Sequence, residues 1–197
     1  MIYHPDAESA LEPLWPLFDW PVVRRNKCLA LYTLARLTEH GTIIELGTYH
    51  GAGTIALALG ARDGYGRQVY TVDPFDENIG WIGEHYSESD YNIFKANMER
   101  AGITTGVTLL REHAEELAQK WTNDERAGLI FWDIGGNRLY SDYLKWHRHV
   151  SYDGLFVAKD LQTWQFGFGA CRDHAIANGF IEDTHYPGGC MWCLRKL

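Results

Sequence analysis

Apolar residues first recur at helical spacing: Cys28, Leu31, Leu34 and Leu37 share one face of a helix predicted over residues 25–39. Gly41 ends that helix, and Thr42-Ile43-Ile44-Glu45-Leu46 reads as a strand buried on both faces. A glycine-containing turn follows, then a helix from about Gly51 to Leu59. Gln68-Val69-Tyr70-Thr71-Val72 is a second strand, stopped by Asp73-Pro74. Residues 75–88 have no clear period, contain Gly80, Gly83 and several aromatics, and read as a loop or lid. A helix is expected over 90–100, capped by Ser89 or Asp90 and closed by Gly102.

The alternation continues. Val107-Thr108-Leu109-Leu110 is a third strand, a helix covers about 114–121, and Leu129-Ile130-Phe131-Trp132 is a fourth strand ending at Asp133. A helix over 139–149 leads through Gly154 to a fifth strand, Leu155-Phe156-Val157-Ala158. After a helix over about 166–178, segments 180–186 and 190–196 flank Pro187-Gly188-Gly189 as a closing hairpin. Strands alternating with helices predict an α/β fold, a Rossmann-like three-layer sandwich. Its sheet should be mostly parallel, with an antiparallel C-terminal hairpin strand. We expect one domain over 1–197, with 1–24 as an N-terminal extension. Ligands of such sheets bind beyond the carboxyl ends of the strands. Four of the five ends carry a carboxylate at or next to the last strand residue: Glu45, Asp73, Asp133 and Asp160.

Composition narrows the function. With 46% hydrophobic and 22% charged residues the chain should fold, and no apolar run reaches the roughly 20 residues of a membrane span. Residues 1–6 lack the basic and apolar parts of a secretory signal, so a cytoplasmic protein is expected. A net charge of −8 repels nucleic-acid backbones, and the compact basic groups, Arg24-Arg25-Asn26-Lys27 and Arg195-Lys196, lie at opposite ends of the chain. A small-molecule partner is favoured, without nucleic acid or membrane. Cys171, His174, Cys190 and Cys193 have the arithmetic of a zinc site. However, the odd offset from Cys190 to Cys193 on a strand points the two thiols to opposite faces, which favours packed thiols.

The most informative stretch is Glu45-Leu46-Gly47-Thr48-Tyr49-His50-Gly51-Ala52-Gly53-Thr54. Its glycines let backbone pass close to a ligand. Tyr49 fills the middle position of Gly-x-Gly-x-x-Gly, and Glu45 would face a pyrophosphate with like charge. A carboxylate suits a ligand ammonium instead.

The run Glu45-Leu46-Gly47-x-Tyr49-x-Gly51 resembles the cofactor motif of class I S-adenosylmethionine-dependent methyltransferases, and most closely their catechol O-methyltransferase-like, small-molecule branch. The likeness continues through Val72-Asp73-Pro74, Val107-Thr108-Leu109 and Asp133. The resemblance implies S-adenosylmethionine as cofactor, with Glu45, Gly47, Tyr49 and Gly51 at its methionine end. Asp73 would accept from its ribose hydroxyls, with His113 and Ala114 near adenine. Asp133 would bind the cofactor as well as take part in the reaction. It further implies a small-molecule methyl acceptor, reacting at a hydroxyl, and relatives that often form homo-oligomers.

Relatives in that branch hold a divalent metal with an acid after the fourth strand and an adjacent acid–Asn or acid–acid pair after the fifth. Here Asp133 fills the first position, but the pair reads Lys159-Asp160. Two arrangements stay open: Asp133 and Asp160 hold magnesium, or Lys159 replaces the metal, as electrostatic substitute or as base, with Asp133, Lys159 and Asp160 as the catalytic set. A third reading makes Lys159 only an ion-pair partner of Asp133 or Asp160. The branch's lysine after the fourth strand is absent, and Gly135-Gly136-Asn137 stands in that region. His50 is a spare candidate base. Trp81, His85, Tyr86, Trp164 and Phe166 are candidates for the walls of an acceptor pocket. The alternatives are a non-catalytic S-adenosylmethionine-binding protein of the same fold and an NAD-dependent oxidoreductase.

Overall fold

The computed structural model describes residues 3–17, 22–79, 85–122, 126–134, 138–159, 167–183 and 191–197. The chain runs through α1 (Asp6–Leu11), a 3-10 segment (Glu12–Leu17), α2 (Val22–Arg36), β1 (Thr42–Leu46), α3 (Ala52–Asp63) and β2 (Val69–Val72). A small antiparallel pair, β3 (Asn78–Ile79) and β4 (His85–Tyr86), stands within the segment expected to be a loop or lid. Next come α4 (Glu88–Arg100), β5 (Val107–Leu110), α5 (Ala114–Lys120) and β6 (Ala127–Trp132). α6 (Leu139–Trp146), a 3-10 turn, β7 (Val150–Lys159), α7 (Phe168–Ala177), β8 (Phe180–Glu182) and β9 (Met191–Lys196) complete the order.

Seven strands form one sheet in the order β5-β2-β1-β6-β7-β9-β8. The strands from β5 to β7 are parallel, while β9 runs antiparallel to β7, and β8 to β9. This is the sandwich expected from the sequence. Chain order reverses between β1 and β6, which opens a crevice beyond their carboxyl ends.

The strands are apolar at both parities because both faces of the sheet are covered. Ile43, Leu129, Phe131, Leu155 and Val157 pack into the core with α2 and α3, and Ile44, Ile130, Trp132, Phe156 and Ala158 into the core with α6 and α7. Parity then carries to the strand ends. Glu45 shares the side of Ile43, Asp133 that of Phe131, and Lys159 that of Val157, so all three belong to the α2/α3 side.

Several boundaries differ from the sequence reading. The α4 cap is Ser87, which is extended (φ −165°, ψ 178°), and Asp90 closes a capping box by accepting from the Ser87 amide at 2.8 Å. The helix expected over 139–149 tightens to 3-10 after Trp146. β7 begins at Val150, five residues before Leu155, and crosses an irregularity at Asp153 (φ 60°) that a strand pattern does not announce. The turn Pro187-Gly188-Gly189 lies outside the described residues. Among the described residues no helix is long and apolar enough to cross a membrane.

α2 and α3 approach closely because α3 presents Gly60. A Cβ at Gly60 would lie 2.1 Å from the carbonyl oxygen of Tyr32, a backbone atom that no rotamer change can move. We expect Gly60→Ala to gain about 1 kcal/mol of helix propensity but lose more, up to roughly 3 kcal/mol, as α2 is pushed off α3. A lower denaturant midpoint checks this, and an unchanged or higher midpoint would show that the helices separate freely.

Candidate active site

The turn after β1 is threaded between its neighbours. The Gly47 amide donates to the Val72 carbonyl at 2.9 Å, and the Asp133 amide donates to the Leu46 carbonyl at 2.8 Å. Gly47 is left-handed (φ 90°), and a Cβ there would lie 2.6 Å from the Asp133 carbonyl oxygen. Gly51 (φ 89°) precedes α3, where a Cβ would meet the Phe94 ring at 2.8 Å. Tyr49 adopts φ 50° without being glycine, a strain of order 1 kcal/mol, offset by stacking on His50 at 3.6 Å.

Asp73 holds this turn in place. One carboxylate oxygen accepts from the amides of Thr48 at 2.9 Å and Tyr49 at 3.1 Å, and the other from the amide of Phe75 at 2.9 Å. A carboxylate offers about four acceptor positions, so three are taken by backbone and one is left for a ligand hydroxyl. Anchoring the turn is a role that the sequence reading did not assign to Asp73.

Glu45 lies beneath the turn, 1% exposed. Its Oε2 accepts from the hydroxyls of Thr54 at 2.5 Å and Thr71 at 2.7 Å, and a Cβ at Gly53 would lie 2.2 Å from its Oε1. Burial pushes its pKa up to about 8 against the pull of the two threonine hydroxyls; the charge of Asp133 raises it further and that of Lys27 lowers it. The carboxyl is therefore mostly protonated at neutral pH, and a cation arriving beside it favours its ionised form.

Beyond β6 and β7 the parity of the strands meets α2. Asp133 Oδ1 pairs with Lys159 Nζ at 2.9 Å, and Asp133 Oδ2 with Lys27 Nζ, also at 2.9 Å. The side chains of Lys27, Asp133 and Lys159 are only 13%, 17% and 26% exposed. The lysine ammonium of α2 lies 6.0 Å from the Phe131 ring centroid. Sequence reasoning expected Lys159 near Asp133 but missed Lys27, noting it only within a basic group. The signal was present: Lys27 precedes Leu31 by four residues and Leu34 by seven, which puts a cation on the apolar stripe.

This donor set does not suit a divalent metal. Both Asp133 oxygens face ammonium groups, and a doubly charged ion bound there would stand roughly 4 Å from each. Each contact would repel by about 2 kcal/mol even at the dielectric constant of water, and by more where the groups are half buried. Among the described residues no group of three or more His, Cys, Asp or Glu side chains can hold a metal. Asp160, the other expected ligand, lies outside the described residues, as do Trp81, Trp164, Phe166 and Gly135-Gly136-Asn137.

The remaining candidates separate. His50 pairs through Nε2 with Asp90 Oδ1 at 2.7 Å, so it ties the turn to the start of α4, where the sequence reading saw a spare base. His113 precedes α5 and its Nε2 is 3.1 Å from Asp76 Oδ2; Ala114 is buried beside it. Tyr86 of β4 meets Tyr49 edge-on at 5.6 Å, and His85 is exposed. Cys171 and Cys193 are buried in the two different cores, on opposite faces of the sheet, so they cannot share a metal. Burial pushes both thiols up to about 12. Cys190 lies outside the described residues.

The family model described as a methyltransferase domain matches residues 44–161, from β1 to the end of β7. A search of curated proteins finds no match. Among solved structures, the chain is similar to an O-methyltransferase from Bacillus cereus in complex with SAH (TM-score 0.64, 16% identity, 99% of this chain and 91% of that one). It is similar also to the O-methyltransferase TomG from Streptomyces achromogenes, in complex with SAM (0.60, 16%, 100% and 92%). A third is a caffeoyl-CoA O-methyltransferase, so described with reservation, from Staphylococcus aureus (0.63, 16%, 95% and 91%). At such identity these likenesses establish the fold.

Glu45 sets a pH dependence whose sign can be worked out. Its folded pKa of about 8 exceeds the ordinary 4.5, so the folded chain keeps a proton that the unfolded chain releases. The stability from this site is complete below about pH 4.5 and is lost as pH rises toward 8. Glu45→Gln cannot ionise, so its melting temperature should fall less than that of the parent between about pH 5 and 8. Parallel melting curves for the two proteins would show that Glu45 does not hold its proton.

Proposed function

We infer that this chain, which belongs to the methyltransferase domain family, transfers the methyl group of S-adenosylmethionine to an oxygen of a small molecule. The observation that carries this reading is the glycine turn at the point where strand order reverses, with Asp73 on one flank and Asp133 on the other. The neighbours of the same fold described as O-methyltransferases, two of them in complex with SAM or SAH, support it. The family that matches gives no support to an NAD-dependent oxidoreductase.

The cofactor supplies an electrophilic methyl carbon on a sulfonium, whose C–S bond breaks with its electron pair going to sulfur. The residues fit such a ligand. Gly47 and Gly51 remove the side chains that would fill the cradle, and Tyr49 walls it. Glu45 lies below, where a cationic group draws it into its charged form. Asp73 keeps one acceptor position for a ribose hydroxyl, and His113 and Ala114 flank the end of β5 on the side assigned to adenine. Asp133, at the close of β6, stands between this cradle and the end of β7, where the acceptor enters.

Calorimetric titration of the full chain with S-adenosylhomocysteine and with NAD tests the reading. S-adenosylhomocysteine should bind with a dissociation constant in the micromolar range or below, about −8 kcal/mol, and NAD should not bind. Binding of NAD alone would overturn it. In Asp73→Ala the affinity for S-adenosylhomocysteine should fall at least tenfold, or about 1.4 kcal/mol, because a ribose contact and the anchor of the turn are lost together. An unchanged affinity would remove Asp73 from the site.

A further inference from the structure

S-adenosylmethionine ends in an amino acid, which carries a carboxylate as well as an ammonium. Glu45 answers the ammonium, and the carboxylate needs a partner of the opposite sign. We propose that Lys27 is a further cofactor-binding residue, whose ammonium takes the carboxylate at the methionine end of S-adenosylmethionine. This rests on the methyl-transfer reading given above.

The need for a cation follows from the charges already gathered there. Glu45 lies under the turn, and the charge of Asp133 reaches it and raises its pKa. The ligand's carboxylate is attached to the same carbon as its ammonium, so it enters a space with two protein carboxyl groups. Once the ammonium has drawn Glu45 into its charged form, both of them repel it. Such repulsion grows as water is excluded, and a cation has to offset it.

Lys27 is placed to do so. Its Nζ is 2.9 Å from Asp133 Oδ2, and its charge is felt at Glu45, whose pKa it lowers. The next turn of α2 packs on the start of α3. The Cys28 thiol donates to the Ala52 carbonyl at 3.8 Å, and a Cβ at Gly53 would lie 3.6 Å from Leu31 Cδ1. The N-cap of α3, Gly51, brings no side chain to the first amides of that helix, and its positive end also favours a carboxylate. Lys159 is placed differently. It comes from β7, which β6 separates from β1, and it meets the other oxygen of Asp133.

The donors of Lys27 agree with this role. An ammonium has three N–H donors, and Asp133 takes one of them. The side chain is largely withdrawn from water, so a carboxylate can receive the others without displacing a full hydration shell. Asp133 also holds the ammonium in place, and little side-chain freedom is left to lose when the ligand arrives.

The test titrates the full chain calorimetrically with S-adenosylhomocysteine and with its decarboxylated analogue, which keeps the ammonium. The parent should prefer S-adenosylhomocysteine at least tenfold, the effect of one charge-assisted contact. In Lys27→Met the affinity for S-adenosylhomocysteine should fall at least tenfold. The analogue should bind that variant within about threefold of the parent or more tightly, because its ammonium no longer meets a lysine. Lys27→Gln should behave like Lys27→Met, and Asp133 keeps Lys159 as a partner in both. Lys27→Arg retains a cation and should retain a preference of at least about threefold. A lysine that only supported α2 or Asp133 would, when replaced, weaken both ligands alike.

The proposal is overturned if the parent binds the two ligands equally, or if the neutral variants keep the parent's preference. It is equally overturned if those variants lose both ligands by the same factor, or if arginine restores nothing. Failure of the parent to bind S-adenosylhomocysteine at all would sink the methyl-transfer reading and this inference with it. Binding whose preference does not depend on Lys27 sinks this inference alone.

Discussion

A carboxylate at the close of a buried apolar strand has to be neutralised, and the organisation of this protein's crevice follows from how that is done for Asp133. Its strand, β6, runs through the centre of the sheet with every residue buried. Water alone does not solvate a group that is only 17% exposed, and a lone charge there would cost several kcal/mol. Two lysines share the task, one from the end of the neighbouring strand β7 and one from α2, more than one hundred positions earlier in the chain. The contact therefore joins the first long helix to the carboxyl ends of β6 and β7.

The same economy of contacts runs through the rest of the crevice. The turn after β1 is held from both sides by backbone hydrogen bonds to β2 and β6, and from above by Asp73, which accepts from the amides of Thr48 and Tyr49. Glu45 is held from below by Thr54 of α3 and Thr71 of β2. His50 and Asp90 connect the turn to the cap of α4, and Asn97 donates to the His50 carbonyl at 2.9 Å. A site of this kind is organised before a ligand arrives, because its polar groups already satisfy one another.

The two ammonium groups at Asp133 stand where a metal-dependent site would bring its ion. In both cases an acidic residue closes the central strand, and positive charge must stand beside it. Here the positive charge comes from side chains of the protein. An ammonium lacks the fixed coordination geometry of a metal ion, but its position is set by a helix and a strand that are rigidly packed. A lysine at the end of β7 is thus consistent with retained chemistry, and Lys27 completes the cluster on the other oxygen of Asp133.

Local periodicity determined the element order, the parallel sheet with its antiparallel edge, and the places where ligands can enter. These depend on residues a few positions apart: the period of α2, the apolar runs of β1 and β6, and the glycines after Leu46. The motif at Glu45 to Gly51 was legible for the same reason, since its glycines answer to a turn formed by neighbouring residues. The cap at Ser87, the irregular start of β7 and the 3-10 end of α6 were not, because alternative local patterns differ there by amounts that tertiary packing decides. The partners of the carboxylates lay further out of reach. Nothing near Asp73 in the sequence says that it anchors Thr48 and Tyr49, and nothing near Asp133 names Lys27. Parity within each strand could not say that Glu45, Asp133 and Lys159 share one side of the sheet, because these strands are apolar on both faces and only their register decides it. Only the folded chain shows which helix covers that side and which cation it brings there, because the attraction acts between groups that the sequence keeps far apart.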